Sequence, residues 1–263
     1  MGAHFKFEVS FFLCIFGSYL IECHKSLYRK GLIMLEVNRK EVERYLGYSG
    51  VTTIDDEVNK KIDECIAEMQ ECINPKYTYK TFPIHWKFSY KFIPEENRKE
   101  KNTTCEFAGI TVQSGNLLKN LDGCAEIVML AVTLGNEPDM LVRKAEVRDM
   151  LKAYTFQAVG AAMAEAWIDE INIKIVEEAK ARGLHARPRF SPGYGDFPLE
   201  VQKDFERILE MPKRIGVTLS DSLLMTPTKS ITAVIGLSEI DTNCEKSGCE
   251  QCSMAGKCAY SRS

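Results

Sequence analysis

The chain has 263 residues, of which 45% are apolar, and a formal net charge of −3. This length and apolar content suffice for a substantial core, in one large domain or two small ones. The 34 basic and 37 acidic residues are interspersed, so the chain lacks the basic field that binds a nucleic acid backbone. The composition predicts a soluble globular protein with no nucleic acid partner.

The first 33 residues differ from the rest of the chain. The apolar run 11–21 is too short for a membrane span and has no small-residue cleavage site after it. The run could be a poor signal peptide or a short anchor. A third interpretation is that this part is not translated, because residues 29–31 can be encoded by a purine-rich stretch that resembles a bacterial ribosome-binding site, a few codons before Met34. We hypothesise that translation starts at Met34 and that 1–33 is a non-native or disordered extension with no membrane partner. A native peptide from upstream of Met34, found by mass spectrometry, would contradict this.

Two helices are predicted at the start of the folded region. Asn38 is a candidate N-cap for a short helix that ends at Gly47. Residues 53–75 place apolar side chains three and four positions apart, which is typical of an amphipathic helix, and a proline ends it. Cys65 and Cys72 fall on its apolar face, where core packing is expected rather than chemistry.

A section rich in strands follows these helices. The aromatic and β-branched residues 77–93 and the segment 107–112 predict strands. A helix is predicted over 114–121. The nearly continuous apolar run 126–135, which ends at a glycine, indicates a buried central strand.

The longest predicted element is a central helix over 139–183, where helical periodicity runs almost unbroken and without proline. Its stretch 158–171 is dense in alanine and glycine, which lets a neighbouring element or a ligand lie close to the helix axis. Glu165 lies in this stretch. Its carboxylate is expected either to be solvated, which is the favoured interpretation, or to lie near a bound polar group.

The last elements complete an α+β fold. Residues 199–211 predict a helix, and 221–238 predict two strands joined by 227–229. Because the helices are segregated from strands that are expected to be antiparallel, the fold class is α+β. The predicted architecture is an antiparallel β-sheet with a long central helix and flanking helices, formed by residues 34–240.

The segment RFSPGYGDFP, residues 189–198, is a stiff loop with one fixed cation. Proline fixes φ, whereas glycine accepts positive φ and lets a ligand approach the backbone closely. Arg189 carries a guanidinium fork that suits a carboxylate or a phosphate. An ordinary surface turn is the competing interpretation, and the loop alone leaves both open.

Two motifs give this loop a context. Arg189, Gly193 and Tyr194 form an R-x-x-x-G-Y motif. A second segment has the form I-G-x-x-L-[ST]-[DE]-S-x-x-M-x-P-x-x-S and is carried by Ile215, Gly216, Leu219, Ser220, Asp221, Ser222, Met225, Pro227 and Ser230. The two motifs occur in the order and spacing of the activation domain of cobalamin-dependent methionine synthase, and the Ala-Glu-Ala of 164–166 also has a counterpart there. The chain therefore resembles that domain. The resemblance is clearest over 139–238.

The resemblance implies a binding site for S-adenosylmethionine. Arg189 would hold the ligand carboxylate, the backbone at 191–193 would supply polar contacts, and Tyr194 would pack against the ligand and orient it. The residues implied at this site are Arg189, Ser191, Pro192, Gly193, Tyr194 and Glu165. No catalytic residue is implied, because reduced cobalt is itself the nucleophile that takes the methyl group and the protein only positions the reactants.

The chain departs from that family in lacking a corrinoid module. No D-x-H-x-x-G cobalamin-ligand motif is present. We therefore expect a free-standing relative that supports the reductive methylation of cob(II)alamin on a separate corrinoid methyltransferase. The implied partner is a methionine synthase that lacks its own activation domain, with a flavodoxin or ferredoxin as a candidate electron donor. Six of the ten cysteines are scattered, which favours a reducing cytoplasm.

A cysteine-rich tail occupies residues 241–263. Its spacing C-x4-C-x2-C-x5-C is formed by Cys244, Cys249, Cys252 and Cys258. Four thiolates can hold a structural zinc ion or an iron–sulfur cluster, and a reducing compartment disfavours the alternative of disulfides. An iron–sulfur cluster would supply electrons and zinc would not. An electron-transfer partner of a corrinoid protein and a zinc-stapled docking module without chemistry therefore remain alternative functions.

Overall fold

A computed structural model of the chain describes residues 34–48, 53–93 and 98–241, with side chains except at 89–93 and 98–102. The predictions for 1–33 and for the four tail cysteines lie outside these residues. Within the described ranges, no helix is both long enough and apolar enough to cross a membrane.

The first two helices form as the sequence predicts. Helix α1 spans Arg39–Tyr45, and the side chain of its N-cap Asn38 accepts a hydrogen bond from the Lys40 N–H. Helix α2 spans Asp56–Cys72. Cys65 is fully buried on its apolar face, and burial raises the pKa of this thiol to about 11. This cysteine therefore packs in the core, as predicted, while Cys72 is half-buried at the helix end.

Five more α-helices, a short 3₁₀ helix at Leu199–Val201 and nine strands complete the described chain. The helices are α3 Gly115–Asn120, α4 Glu137–Glu146, α5 Met150–Ala181, α6 Gln202–Ile208 and α7 Met211–Arg214. The strands are β1 Lys76–Pro83, β2 His85–Ile93, β3 Arg98–Phe107, β4 Ile110–Val112, β5 Glu126–Thr133, β6 His185–Ala186, β7 Thr218–Leu219, β8 Met225–Thr226 and β9 Ser230–Ser238.

The main sheet is antiparallel and has the strand order β1, β5, β9, β6. Strand β5 is central, with Ala131 opposite Thr78 of β1 on one side and Thr232 of β9 on the other. Its side chains alternate between two apolar cores, one on each face of the sheet. Because both faces are buried, the strand is apolar along almost its whole length, which confirms the predicted central strand.

Each face of the main sheet packs against a layer of other elements. The core on one face of the main sheet is formed with α1, α2, α4 and α5. The core on the other face is formed with β3, β4, α3, α6 and α7. The structure therefore confirms the predicted class, an antiparallel sheet with a long central helix and flanking helices.

Two smaller sheets lie beside the main one. Strands β2, β3 and β4 form one of them, and β7 pairs with β8 in the other. The predicted strand region 77–93 is thus divided between two sheets. Both strands predicted within 221–238 are present, but they do not pair with each other: Met225 of β8 lies opposite Leu219 of β7.

The prediction of one nearly unbroken helix over 139–183 is wrong at its beginning. Helix α4 ends at Glu146, and α5 begins at Met150. Asp149 separates them, because its side chain accepts a hydrogen bond from the Lys152 N–H at 2.9 Å and so caps α5. The same carboxylate lies 2.8 Å from the ammonium of Lys61 on α2. A capping aspartate therefore breaks the helix without a proline or a glycine.

Candidate functional site

The loop after β6 begins as a continuation of that edge strand along β9. The Arg187 N–H donates to the Gly236 carbonyl at 2.8 Å. Phe190 and Val234 exchange two backbone hydrogen bonds, at 2.8 and 3.0 Å. The backbone is thus fixed to the sheet on both sides of Arg189, so the position of its Cα is set by the main sheet.

The guanidinium of Arg189 lies between two carboxylates of the long helix α5. Its Nη1 atom is 2.5 Å from Oδ1 of Asp169, and its Nη2 atom is 3.5 Å from Oε2 of Glu165. The two acids are four positions apart, so they share one face of the helix. The Glu165 carboxylate is about one-third exposed and also faces a cation, so it is solvated only in part.

Asp169 is the site residue that the sequence analysis missed. Its carboxylate makes the shorter of the two contacts with Arg189 and is 57% exposed. The available signal was its position, because a residue four places after Glu165 on a helix must lie beside it. The motifs did not include Asp169, so only the fold joins it to the loop.

The turn that follows Arg189 is closed by its own backbone. The Gly193 N–H donates to the Phe197 carbonyl at 2.8 Å, and the Tyr194 N–H donates to the Ser191 carbonyl at 3.1 Å. Gly193 has φ +84°, and a Cβ there would lie 3.2 Å from Leu199 Cδ1. Both conformation and space favour glycine at this position. The loop is therefore shaped, as the sequence predicts.

Aromatic side chains attach this turn to the core. The ring of Phe197 is buried in the core that faces α3 and α6. Phe190 is half-buried, and its ring centroid lies 6.2 Å from those of both Phe197 and Tyr194. Tyr194 is about half exposed at the rim of this group. Its ring therefore packs against Phe190 and is partly exposed to solvent. Ser191 is half-buried and Pro192 is buried.

Asp196 ties the far side of the loop to helix α3. Its carboxylate accepts hydrogen bonds from the Ser114 hydroxyl, from the Gly115 N–H at 2.7 Å and from the Asn116 N–H at 3.2 Å. The bond from Ser114, followed by those from the two backbone groups, lowers the pKa of Asp196 below its ordinary value. The carboxylate is thus held ionised at the helix N-terminus, and it fixes the loop there.

The second motif segment has a structural role in the described contacts. Its serines shape the turn between β7 and β8: the Ser220 hydroxyl accepts from the Leu224 N–H at 3.1 Å and lies 2.9 Å from the Ser222 hydroxyl. The Ser230 hydroxyl lies 2.9 Å from Oγ1 of Thr133 and 2.7 Å from the Pro227 carbonyl, where β9 begins. This segment therefore builds the turn and starts the strand that carries the loop.

Lys229, from the second motif segment, packs against the small-residue stretch of α5. A Cβ on Gly160 would lie only 2.8 Å from Cε of Lys229, so the lysine stem occupies the space that a side chain would need. Its ammonium donates to the Gln157 side-chain oxygen. Burial lowers the pKa of Lys229, against an opposing effect of Asp139. The sequence predicts that a neighbouring element or a ligand lies close to this helix, and at Gly160 it is the side chain of Lys229 that does so.

Comparisons with known proteins give a distant likeness to solved structures. No family model matches the chain, and no curated protein matches it. Among solved structures, the chain is similar to the crystal structure of the MetH reactivation domain bound to AdoHcy, at 20% sequence identity and a TM-score of 0.49. The similarity covers 73% of this chain and 68% of that chain.

A metal centre is not found among the residues that the structure describes. No group of three or more histidine, cysteine, aspartate or glutamate side chains there is arranged to hold an ion. The described cysteines Cys65, Cys72, Cys105 and Cys124 form no disulfide. The prediction of a metal at Cys244, Cys249, Cys252 and Cys258 concerns residues outside the described ranges and stays a prediction.

Proposed function

We propose that the loop at Arg189 binds S-adenosylmethionine. The amino-acid end of this ligand carries a carboxylate and an ammonium group, with a sulfonium close by. The site offers the matching charges, since one guanidinium lies between the carboxylates of Glu165 and Asp169. This arrangement, on an arginine whose backbone is fixed to the main sheet, is the observation that carries the proposal. Arg189 would bind the ligand carboxylate through charge-assisted hydrogen bonds.

The rest of the loop supplies the remaining contacts in this proposal. The turn at Ser191, Pro192 and Gly193 is closed by backbone hydrogen bonds, and Gly193 is exposed, so a ligand can contact the backbone from the solvent side. The half-exposed ring of Tyr194 offers a flat apolar surface beside it. These features suit a ligand with one charged end and one aromatic end.

The reaction that we propose is the reductive methylation of cob(II)alamin on a separate corrinoid protein. The one-electron-reduced corrinoid is the nucleophile for the methyl group of S-adenosylmethionine, so this chain needs no nucleophile. Its residues would hold the sulfonium methyl group in place for transfer. The two sequence motifs and the charges at Arg189 support this function. The partner would be a cobalamin-dependent methionine synthase without its own activation domain, and the electron donor a flavodoxin, a ferredoxin or the tail of this chain.

The partner proposal predicts a preference between cobalt states. A reactivation factor must bind the inactive form better than the working form, because a ligand shifts an equilibrium only by its differential affinity. The full chain should therefore bind the cob(II)alamin form of a corrinoid methyltransferase more tightly than the methylcobalamin form, in paired titrations under anaerobic conditions. Equal affinity for the two forms would count against a reactivation role.

The tail proposal predicts one metal centre that is independent of the ligand site. Four cysteine thiolates suit either zinc or an iron–sulfur cluster. The double change Cys249→Ser and Cys252→Ser should abolish metal binding, while the affinity for S-adenosylmethionine changes by no more than about threefold, roughly 0.6 kcal/mol. The matched control is Cys65→Ser with Cys105→Ser, which removes two thiols from buried positions and should retain the metal. Wild-type protein purified anaerobically with neither iron nor zinc at near-stoichiometric levels would defeat this prediction.

Two other functions make different predictions for the same measurements. An iron–sulfur electron-transfer partner would contain iron but would not bind S-adenosylmethionine. A zinc-stapled docking module would contain zinc and would also not bind it. Calorimetry with S-adenosylmethionine separates our proposal from both, and the iron assay separates these two from each other.

A further inference from the structure

The charges around Arg189 do not balance. Glu165 and Asp169 contribute two carboxylates on one face of α5, and Arg189 contributes one guanidinium. Among the described residues, no other lysine or arginine forms an ion pair with either acid. The cluster therefore sets two carboxylates against one guanidinium, a formal charge of −1.

This excess charge belongs to a fixed and accessible arrangement. Both acids lie in the interior of the 32-residue helix α5, and Arg189 is held between two backbone attachments to β9. The side chain of Asp169 is more exposed than those of Glu165 and Arg189. A ligand at Arg189 would therefore lie in the field of Asp169.

We propose that Asp169 determines specificity by favouring the sulfonium form of the ligand over its thioether product. This inference rests on the proposed function. S-Adenosylmethionine has a net charge of +1 at neutral pH, whereas S-adenosylhomocysteine has none, because loss of the methyl group converts the sulfonium into a neutral thioether. The first ligand neutralises the cluster, and the second leaves its negative charge uncompensated. Asp169 therefore favours entry of the methyl donor and release of the product.

The ratio of the two affinities isolates this effect. Both ligands carry the same carboxylate, ammonium and adenosine, so any change at Arg189 alters both affinities in the same way. They differ only in the methyl group and its charge, and the steric part of that difference does not depend on Asp169. One unit charge a few ångströms from another near a protein surface changes an equilibrium by about 3- to 10-fold.

The test is calorimetry of the full chain with each ligand, for wild type and Asp169→Asn. Asparagine keeps the shape and removes the charge. The preference for S-adenosylmethionine over S-adenosylhomocysteine should fall by about 3- to 10-fold in this variant. The matched control is Glu177→Gln, which removes an exposed carboxylate about 12 Å further along the same helix. It should leave the preference unchanged, and Asp169→Glu should retain most of it.

A second measurement uses the wild type alone. Because the Debye length falls from about 10 Å at 0.1 M salt to 3 Å at 1 M, the preference should shrink as salt is added. If wild type binds S-adenosylmethionine but neither the Asp169→Asn change nor salt alters the preference, the specificity role of Asp169 is overturned and the proposed function stands. If wild type binds neither ligand, the proposed function fails, and this inference fails with it.

Discussion

Replacing Arg189 with alanine should weaken the binding of S-adenosylmethionine by about 1.5–3 kcal/mol, roughly 10-fold to 150-fold, without unfolding the protein. The change removes the cation assigned to the ligand carboxylate. It also leaves the carboxylates of Glu165 and Asp169 without their partner, so they would repel that same group. The measurement is a calorimetric titration of wild type and variant, together with their thermal unfolding.

Two further variants separate the role of the guanidinium fork from the effect of charge. Arg182→Ala removes an exposed arginine just beyond the end of α5, where it binds Glu126 at 2.6 and 2.7 Å. This control should leave ligand affinity unchanged. Arg189→Lys keeps the charge but loses the planar fork, so it should cause an intermediate loss. Unchanged affinity in Arg189→Ala would leave the loop without its assigned role.

Replacing Phe197 with alanine should lower the free energy of unfolding by about 3–5 kcal/mol. The side chain is only 2% exposed and lies in the core that faces α3 and α6. Its own backbone also closes the loop, because its carbonyl accepts from the Gly193 N–H and its N–H donates to the Tyr194 carbonyl. Truncation leaves a cavity beneath the turn, so ligand affinity should fall as well. Denaturant titration measures the stability loss.

The control for this cavity effect is a large apolar residue that is not buried. Leu224, at the turn between β7 and β8, is 67% exposed. Leu224→Ala should change the free energy of unfolding by less than about 0.5 kcal/mol. If the two variants were equally stable, Phe197 would not anchor the loop in the core as we describe.

Local physical rules predicted much of the fold. Helix α2 could be located because its apolar residues recur at helical spacing, and β5 because burial on both faces leaves it almost wholly apolar. Strand β3 could not be predicted over 98–104. Its residues there are mostly charged or polar and resemble a loop, and they form a strand only by pairing with β2. The strand conformation of 98–104 is therefore determined by tertiary pairing and not by the local sequence.

The same division applies to the candidate site. The loop could be predicted as shaped from its prolines and glycines, and Arg189 from its place in a motif. The partners of Arg189 could not be predicted, because they depend on where α5 passes the end of the edge strand β6. Asp149 shows the same limit at the other end of α5, where a capping side chain breaks a pattern that is periodic on both sides. At Arg189 a contact between distant residues determined the result, and at Asp149 a local side-chain cap did.

The most direct test of the central claim is a calorimetric titration of the full wild-type chain with S-adenosylmethionine. Our account predicts saturable binding at one site per chain, with Arg189 as its main charged contact. The same titration repeated in the presence of excess S-adenosylhomocysteine should show competition for that one site. A titration with no saturable binding would contradict the assignment of this loop as an S-adenosylmethionine site.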